Sequence, residues 1–227
     1  EIDAITVGVV GLGATVLTRV RRPLEASPSV ADAVRVTAEL VAELRAEFGT
    51  GHSIVGIGAA IPGLVRARDD MVRLAPHLHW VDEPFAAELE AATGLPVFAA
   101  NDANLGTRAE SLFGAGRGIA DLIYLNGGAS GIGGGIVSGG RALTGVEGYA
   151  GEFGHTMVAT NGSVCHCGAT GCLEAEVRRD RPLELTGLAD ADSNELESVL
   201  HARDTADLRA EALRQLDFLG VALRNAV

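Results

Sequence analysis

Residues 95–113 read LPVFAANDANLGTRAESLF: an apolar run from Leu95 to Ala99 meets the polar pair Asn101-Asp102, and a helical pattern continues to Phe113. A short strand that turns straight into a helix is the unit from which α/β layers are built. Upstream the same alternation holds. Residues 5–10 and 16–20 are apolar, β-branched runs separated by Gly11-Leu12-Gly13, the pattern of a hairpin. Residues 30–48 set Val34, Ala38, Val41, Leu44 and Phe48 on one helical stripe, with charges opposite. Residues 54–61 read as a buried strand ended by Pro62-Gly63, and residues 84–93 as a short helix stopped by Gly94.

Downstream the character changes. Residues 122–125 form a strand that enters a segment, 127–140, in which eight of 14 residues are glycine. Residues 144–171 are rich in loop formers. From residue 194 onward Leu196, Leu200, Leu208, Leu213, Leu216, Leu219 and Leu223 punctuate charged, helical segments. No repeat with a period of 20 to 50 residues is present. The expectation is two α/β lobes, residues 1–113 and 114–227, with polar loops gathered between them.

Composition removes several classes of function. The 227 residues are 47% hydrophobic and 21% charged, a folded globular balance. All 18 basic residues are arginine, which excludes a Walker-type phosphate loop and a Schiff-base lysine. The net charge of -12 opposes attraction to a phosphate backbone. The chain shows no basic-then-apolar leader and no run of about 18 apolar residues, so no membrane contact is expected. Its three cysteines, an odd number, all fall between residues 165 and 172. That is the pattern of reduced thiols in a cytoplasmic protein rather than a secreted disulfide framework.

Three groups can carry chemistry. His155, Cys165, Cys167 and Cys172 make a full set of four donors for a structural zinc, and Gly168 and Gly171 allow the tight turn that returns Cys172 to the same ion. The alternative is three free thiols in a glycine-rich loop. His166 is a rival ligand but, set between two cysteines, is expected to point away. Asp102, at the carboxyl end of a strand, is placed as a general base, or, with Asn101, as a helix cap. The run GGASGIGGGIV, residues 127–137, either offers backbone N–H groups to phosphate or marks a hairpin packed against another backbone. Gly63, Glu152 and Glu174 add groups that could face a shared ligand.

Taken together, IPG (61–63), NDANLGTRAE (101–110), GIGGGIV (131–137), GEFGHT (151–156) and CHCGATGCLE (165–174) resemble the ROK family of repressors, open reading frames and sugar kinases. The resemblance implies a two-lobed actin-like, ribonuclease-H-like fold with a hexose in the interlobe cleft, commonly as a homodimer or higher oligomer. It matches Asp102 to the catalytic base and Asn101, Gly63, Glu152, His155 and Glu174 to contacts with a hexose or amino-hexose. It also matches His155, Cys165, Cys167 and Cys172 to zinc ligands. In a kinase, ATP and magnesium would bind as well, with Gly131, Gly133 and Gly134 near the phosphates.

Departures from the family pattern separate its two branches. Kinases of the family carry a D-x-G-G-T turn, whereas the corresponding stretch here reads EIDAITVGVVGLG. Ala129-Ser130 stand where kinases usually have Gly-Thr, and His77 stands where the family usually has Asn. These favour the effector domain of a sugar-sensing repressor; the alternative is an ATP-dependent hexose kinase with Asp102 as base. A family repressor binds DNA through a winged helix-turn-helix ahead of this domain, which is not among these residues. An NPxxxVLGG-like strand would follow the last helix. The chain is therefore expected to be truncated at both ends.

Overall fold

The computed structural model describes residues 4–48, 52–128, 131–178, 180–187 and 205–226. These fall into two compact units, drawn from Glu1–Asn126 with Gly133–Gly151 and from Gly127–Ile132 with Glu152–Val227. Leu196 and Leu200, assigned to a helix from the sequence, lie outside the described residues. Among the described residues no helix is long and apolar enough to cross a membrane.

The first unit opens with the expected hairpin, β1 (Ala4–Val10) antiparallel to β2 (Val16–Pro23). The stripe predicted for residues 30–48 forms α1 (Val30–Phe48), which buries Leu40 and Leu44 almost completely. Its start is fixed by Ser29, whose Oγ accepts the N–H of Asp32 at 3.1 Å. β3 (Ile57–Ile61) pairs in parallel with β7 (Val97–Asn101), in register from Ile57 opposite Val97 to Ile61 opposite Asn101. Between them in sequence lie β4 (Leu64–Arg66), β5 (Met71–Ala75), β6 (Trp80–Glu83) and α2 (Phe85–Thr93). α3 (Asp102–Phe113) follows β7 without a break. β8 (Leu122–Gly128), β9 (Gly131–Ser138) and β10 (Arg141–Ala142) form a separate sheet in the order β10-β9-β8.

The antiparallel β4-β5-β6 meander was not anticipated from the sequence. Its strands run three to five residues, too short for a period-two pattern, and its turns use Asp70 and His79 with φ of 55° and 58° instead of glycine. A core of α1, α2, the meander, β3 and β7 gathers Val34, Ile61, Val72, Trp80, Leu89 and Val97. The Trp80 indole stacks on Phe85 at 5.5 Å and donates its N–H to the Pro28 carbonyl at 2.9 Å. Burying side chains of this size stabilises the unit by about 1.5–3 kcal/mol each.

The second unit is built differently. A 3-10 turn at Phe153–His155 leads to two isolated bridges, Met157 with Cys172 and Val164 with Thr170. Then come α4 (Leu173–Glu176), α5 (Asp180–Thr186) and α6 (Ala206–Ala226). Among the described residues its buried cluster is small, consisting of Cys165, Cys172 and Ala175, with Leu173 fully buried beside it in sequence.

Candidate functional site

In the first unit the β3–β7 register brings two separated motifs together. Because Ile61 lies opposite Asn101, the chain that continues through Pro62 to Gly63 passes the end of β7. There the Asn101 side-chain amide donates to the Gly63 carbonyl at 3.0 Å, while its carbonyl oxygen accepts the N–H of Asn104 at 2.9 Å. Asn101 is therefore the cap of α3, and Asp102 is the first residue of the helix. The Asp102 carboxylate accepts the N–H of Ala103 at 2.9 Å, and burial pushes its carboxyl above the usual aspartate range. Gly63 is glycine for a packing reason, since a Cβ there would run into the backbone of Leu74 and Ala75.

In the glycine-rich strand β9 two glycines have a packing role. A Cβ on Gly133 would press on Ala103, and one on Gly135 on Thr107, so these glycines let β9 approach α3 closely. Gly134 is buried in the same strand. Ala129 and Ser130 lie outside the described residues. A groove of about 1090 Å³ in the first unit lies elsewhere, lined by β1, residues 54–62 and the inner face of α1. Among the described residues its lining contains no carboxylate; the polar side chains there are Arg19, Arg21, Thr6, Thr37, His52 and Ser53.

In the second unit the bridges fold the chain so that the four expected donors converge. Cys165 donates its backbone N–H to the Ala169 carbonyl and accepts that of Gly168, closing a turn in which Gly168 has φ of 87°. Gly171, φ of 74°, packs directly on the Ala159 backbone and delivers Cys172 opposite Met157. The donor atoms of His155, Cys165, Cys167 and Cys172 all lie within 4.8 Å of one another. Cys165 Sγ is 3.7 Å from His155 Nδ1, and Cys167 Sγ is 3.7 Å from Cys172 Sγ. A tetrahedron with bonds of about 2.0–2.3 Å has edges of roughly 3.3–3.8 Å, and these two spacings fall within that range.

The thiols differ. Burial pushes Cys165 and Cys172 upward, whereas Cys167, exposed and receiving the Ala169 N–H, is held below the usual thiol value. A cation among them would favour all three thiolates.

His166 does not point away. Its Nδ1 turns back to 3.0 Å from Glu174 Oε1 and 3.8 Å from Cys165 Sγ. The reason is Glu174, whose side chain is 8% exposed and which needs donors. The same Glu174 oxygen lies 3.1 Å from Cys165 Sγ and 3.4 Å from His155 Nδ1, so Glu174 faces the cysteine cluster. Glu152 immediately precedes the 3-10 turn that carries His155, and its carbonyl accepts the His155 N–H at 3.1 Å. Sequence reading passed over Glu176, a buried acid at the end of α4. Its only signal is a charged residue inside the short run LEAE after Cys172.

Residues 2–217 match the family model of the ROK family. Among curated relatives, a putative xylose repressor from Caldicellulosiruptor sp. (strain Rt8B.4) is 42% identical over 131 residues, 58% of this chain and 33% of its own length. The glucokinase of Thermotoga maritima is 39% identical over 171 residues, 75% of this chain and 52% of its own. The chain thus spans a third to a half of these relatives. Among solved structures, a ROK family glucokinase from Streptomyces griseus in complex with glucose and AMPPNP superposes with a TM-score of 0.78 at 28% identity. That alignment covers 100% of this chain and 76% of the other.

Proposed function

This chain belongs to the ROK family, and on that premise we propose that it serves as the sugar-sensing effector domain of a ROK transcriptional repressor. The observation that carries the sugar-binding part is the Asn101–Asp102 elbow. Asn101 caps α3 and anchors Gly63, while the neighbouring Asp102 carboxylate, with one oxygen on the Ala103 N–H, keeps acceptor capacity for a hydroxyl. Asp102, Asn101 and Gly63 of the first unit, and Glu152, His155 and Glu174 of the second, are the residues proposed to contact a hexose or amino-hexose. His155, Cys165, Cys167 and Cys172 would hold a structural zinc, which when bound would fix the loop that carries Glu152 and Glu174 on either side.

The regulator assignment rests on the stretch EIDAITVGVVGLG and on Ala129-Ser130, where this chain departs from the kinase pattern. The 42% identity to the putative xylose repressor is matched by 39% to a glucokinase over more of the chain. Operator binding would come from residues other than these, since a net charge of -12 repels phosphate. A hexose kinase is the second reading, favoured by Asp102 itself. It heads a helix, and burial raises its carboxyl toward the range of a general base that takes a proton from a sugar hydroxyl. In that case ATP and magnesium would bind, with Gly131, Gly133 and Gly134 near the phosphates.

Calorimetry with glucose, mannose and N-acetylglucosamine separates the readings. One of these sugars should bind, and Asp102→Asn should weaken it roughly 10- to 100-fold, the loss of a hydrogen bond to a charged group. No phosphate should reach the sugar when ATP and magnesium are added. Transfer that disappears in Asp102→Asn would establish the kinase reading instead, and a protein that binds none of the sugars would overturn both.

A further inference from the structure

We propose that Glu176 and Arg214 form a tie that positions the cysteine hairpin for its metal, an inference that rests on the metal reading above. Glu176 touches none of the four donors, so it is a positioning residue. It ends α4, four residues after Cys172, and its side chain is only 7% exposed. One carboxylate oxygen accepts the backbone N–H of Ser163 at 2.5 Å, two residues before Cys165. The other accepts Nη1 of Arg214 at 3.1 Å. A single side chain thus grips the chain on both sides of the hairpin that carries Cys165, Cys167 and Cys172.

Arg214 supplies the anchor from α6. Its Nη2 donates to the Glu176 backbone carbonyl at 2.9 Å and to Glu211 Oε1 at 2.7 Å, and its Nε donates to Glu211 Oε2 at 2.9 Å. The guanidinium also lies 5.1 Å over the Phe218 ring. Every part of the arginine fork is therefore committed, and its orientation is fixed. Gly162 leaves room for the arrangement, because a Cβ there would collide with the Glu176 carboxylate.

The need for such a tie follows from the hairpin itself. Two isolated bridges and a few turns hold it, with no ladder to set the spacing of its sulfurs. A metal site keeps its affinity only when its donors are already near their bonded positions. If Ser163 drifts, Cys165 drifts with it. A buried carboxylate stripped of its arginine would also prefer to leave for water, taking the Ser163 contact with it.

The test measures zinc affinity of the whole chain by competition with a chromogenic chelator, alongside the visible spectrum of the cobalt(II)-loaded protein and the melting temperature of the metal-free protein. Glu176→Ala should weaken zinc about 10- to 100-fold, the usual effect of removing an outer partner of a ligand set. It should also alter the cobalt bands. Glu176→Gln keeps an oxygen for Ser163 and should recover most of the affinity. Arg214→Met should act in the direction of Glu176→Ala and provides the reading if that variant does not fold. Glu211→Gln, which touches the same arginine but not the hairpin, should leave affinity unchanged even where it lowers the melting temperature. Zinc bound equally tightly by wild type, Glu176→Ala and Arg214→Met overturns the tie alone, as does an equal loss in Glu211→Gln. A wild-type protein that takes up no zinc overturns the metal reading and the tie with it.

Discussion

The Asn101–Asp102 elbow and the cysteine hairpin place candidate site residues by opposite means. The elbow sits where a parallel ladder meets a capped helix, above a core that includes Ile61, Leu89 and Val97. Its geometry is inherited from regular structure and apolar burial. The hairpin has two bridges, a three-residue buried cluster and a set of polar contacts across turns. The first kind of site stands without a ligand. The second spends much of its chain on holding donors and gains its rigidity from whatever joins them.

The sharpest way to break this comparison is to remove the metal proposed for the hairpin. Chelation, or Cys172→Ser, should strip amide-exchange protection from residues 152–178 by several orders of magnitude while residues 57–61 and 97–113 keep theirs. Structural zinc sites contribute on the order of 10 kcal/mol in isolated peptides, so the effect should dominate the second unit. Equal loss in both regions would show that the elbow is not independent of the hairpin.

Leu89→Ala probes the other side. Leu89 is fully buried in the core beneath the elbow, and its truncation should lower stability by about 2–5 kcal/mol in denaturant titrations. Zinc affinity, measured below the unfolding transition, should be unaffected. A matching fall in zinc affinity would mean that the hairpin borrows its order from the apolar core.

The smallest effect concerns pH. Arg214 and, secondarily, Gln215 hold the Glu211 carboxyl down to about 2, below its ordinary value of 4.5. A lowered folded value means that the stabilisation is fully present above pH 4.5 and is lost as pH falls from there toward 2. The loss should be on the order of 1–2 kcal/mol, discounted for the exposure of Arg214, and Glu211→Gln should flatten that part of the stability profile. An unchanged profile would remove the Arg214 cluster from the polar contacts that distinguish the second unit.

Legibility followed the same divide. The hairpin β1–β2, α1, α2, β7 and α3 were readable because each declares itself within about 20 residues, through apolar period, cap and stop. Gly94, with φ of 67°, ends α2 as its position after the pattern suggested. The β4-β5-β6 meander escaped because its short strands are defined by their partners. The four donors of the cysteine cluster were legible because their spacing in sequence is itself the signal. The direction of His166 was not, since it is decided by Glu174, eight residues away and buried.

The hairpin β1–β2, the helices α1 to α3, the strand β7, the family resemblance and the donor set for a metal belong to the sequence by itself, because local periodicity and residue chemistry specify them without a partner. The tertiary structure decided which of Asn101 and Asp102 caps α3, because the choice depends on Gly63 arriving through the β3–β7 register. It decided that β9 uses Gly133 and Gly135 to approach α3, a matter of distance between separate elements. It also joined Glu176 to Arg214 across 38 positions. Such pairings form only when packing has fixed both partners, and no pattern within either segment encodes them.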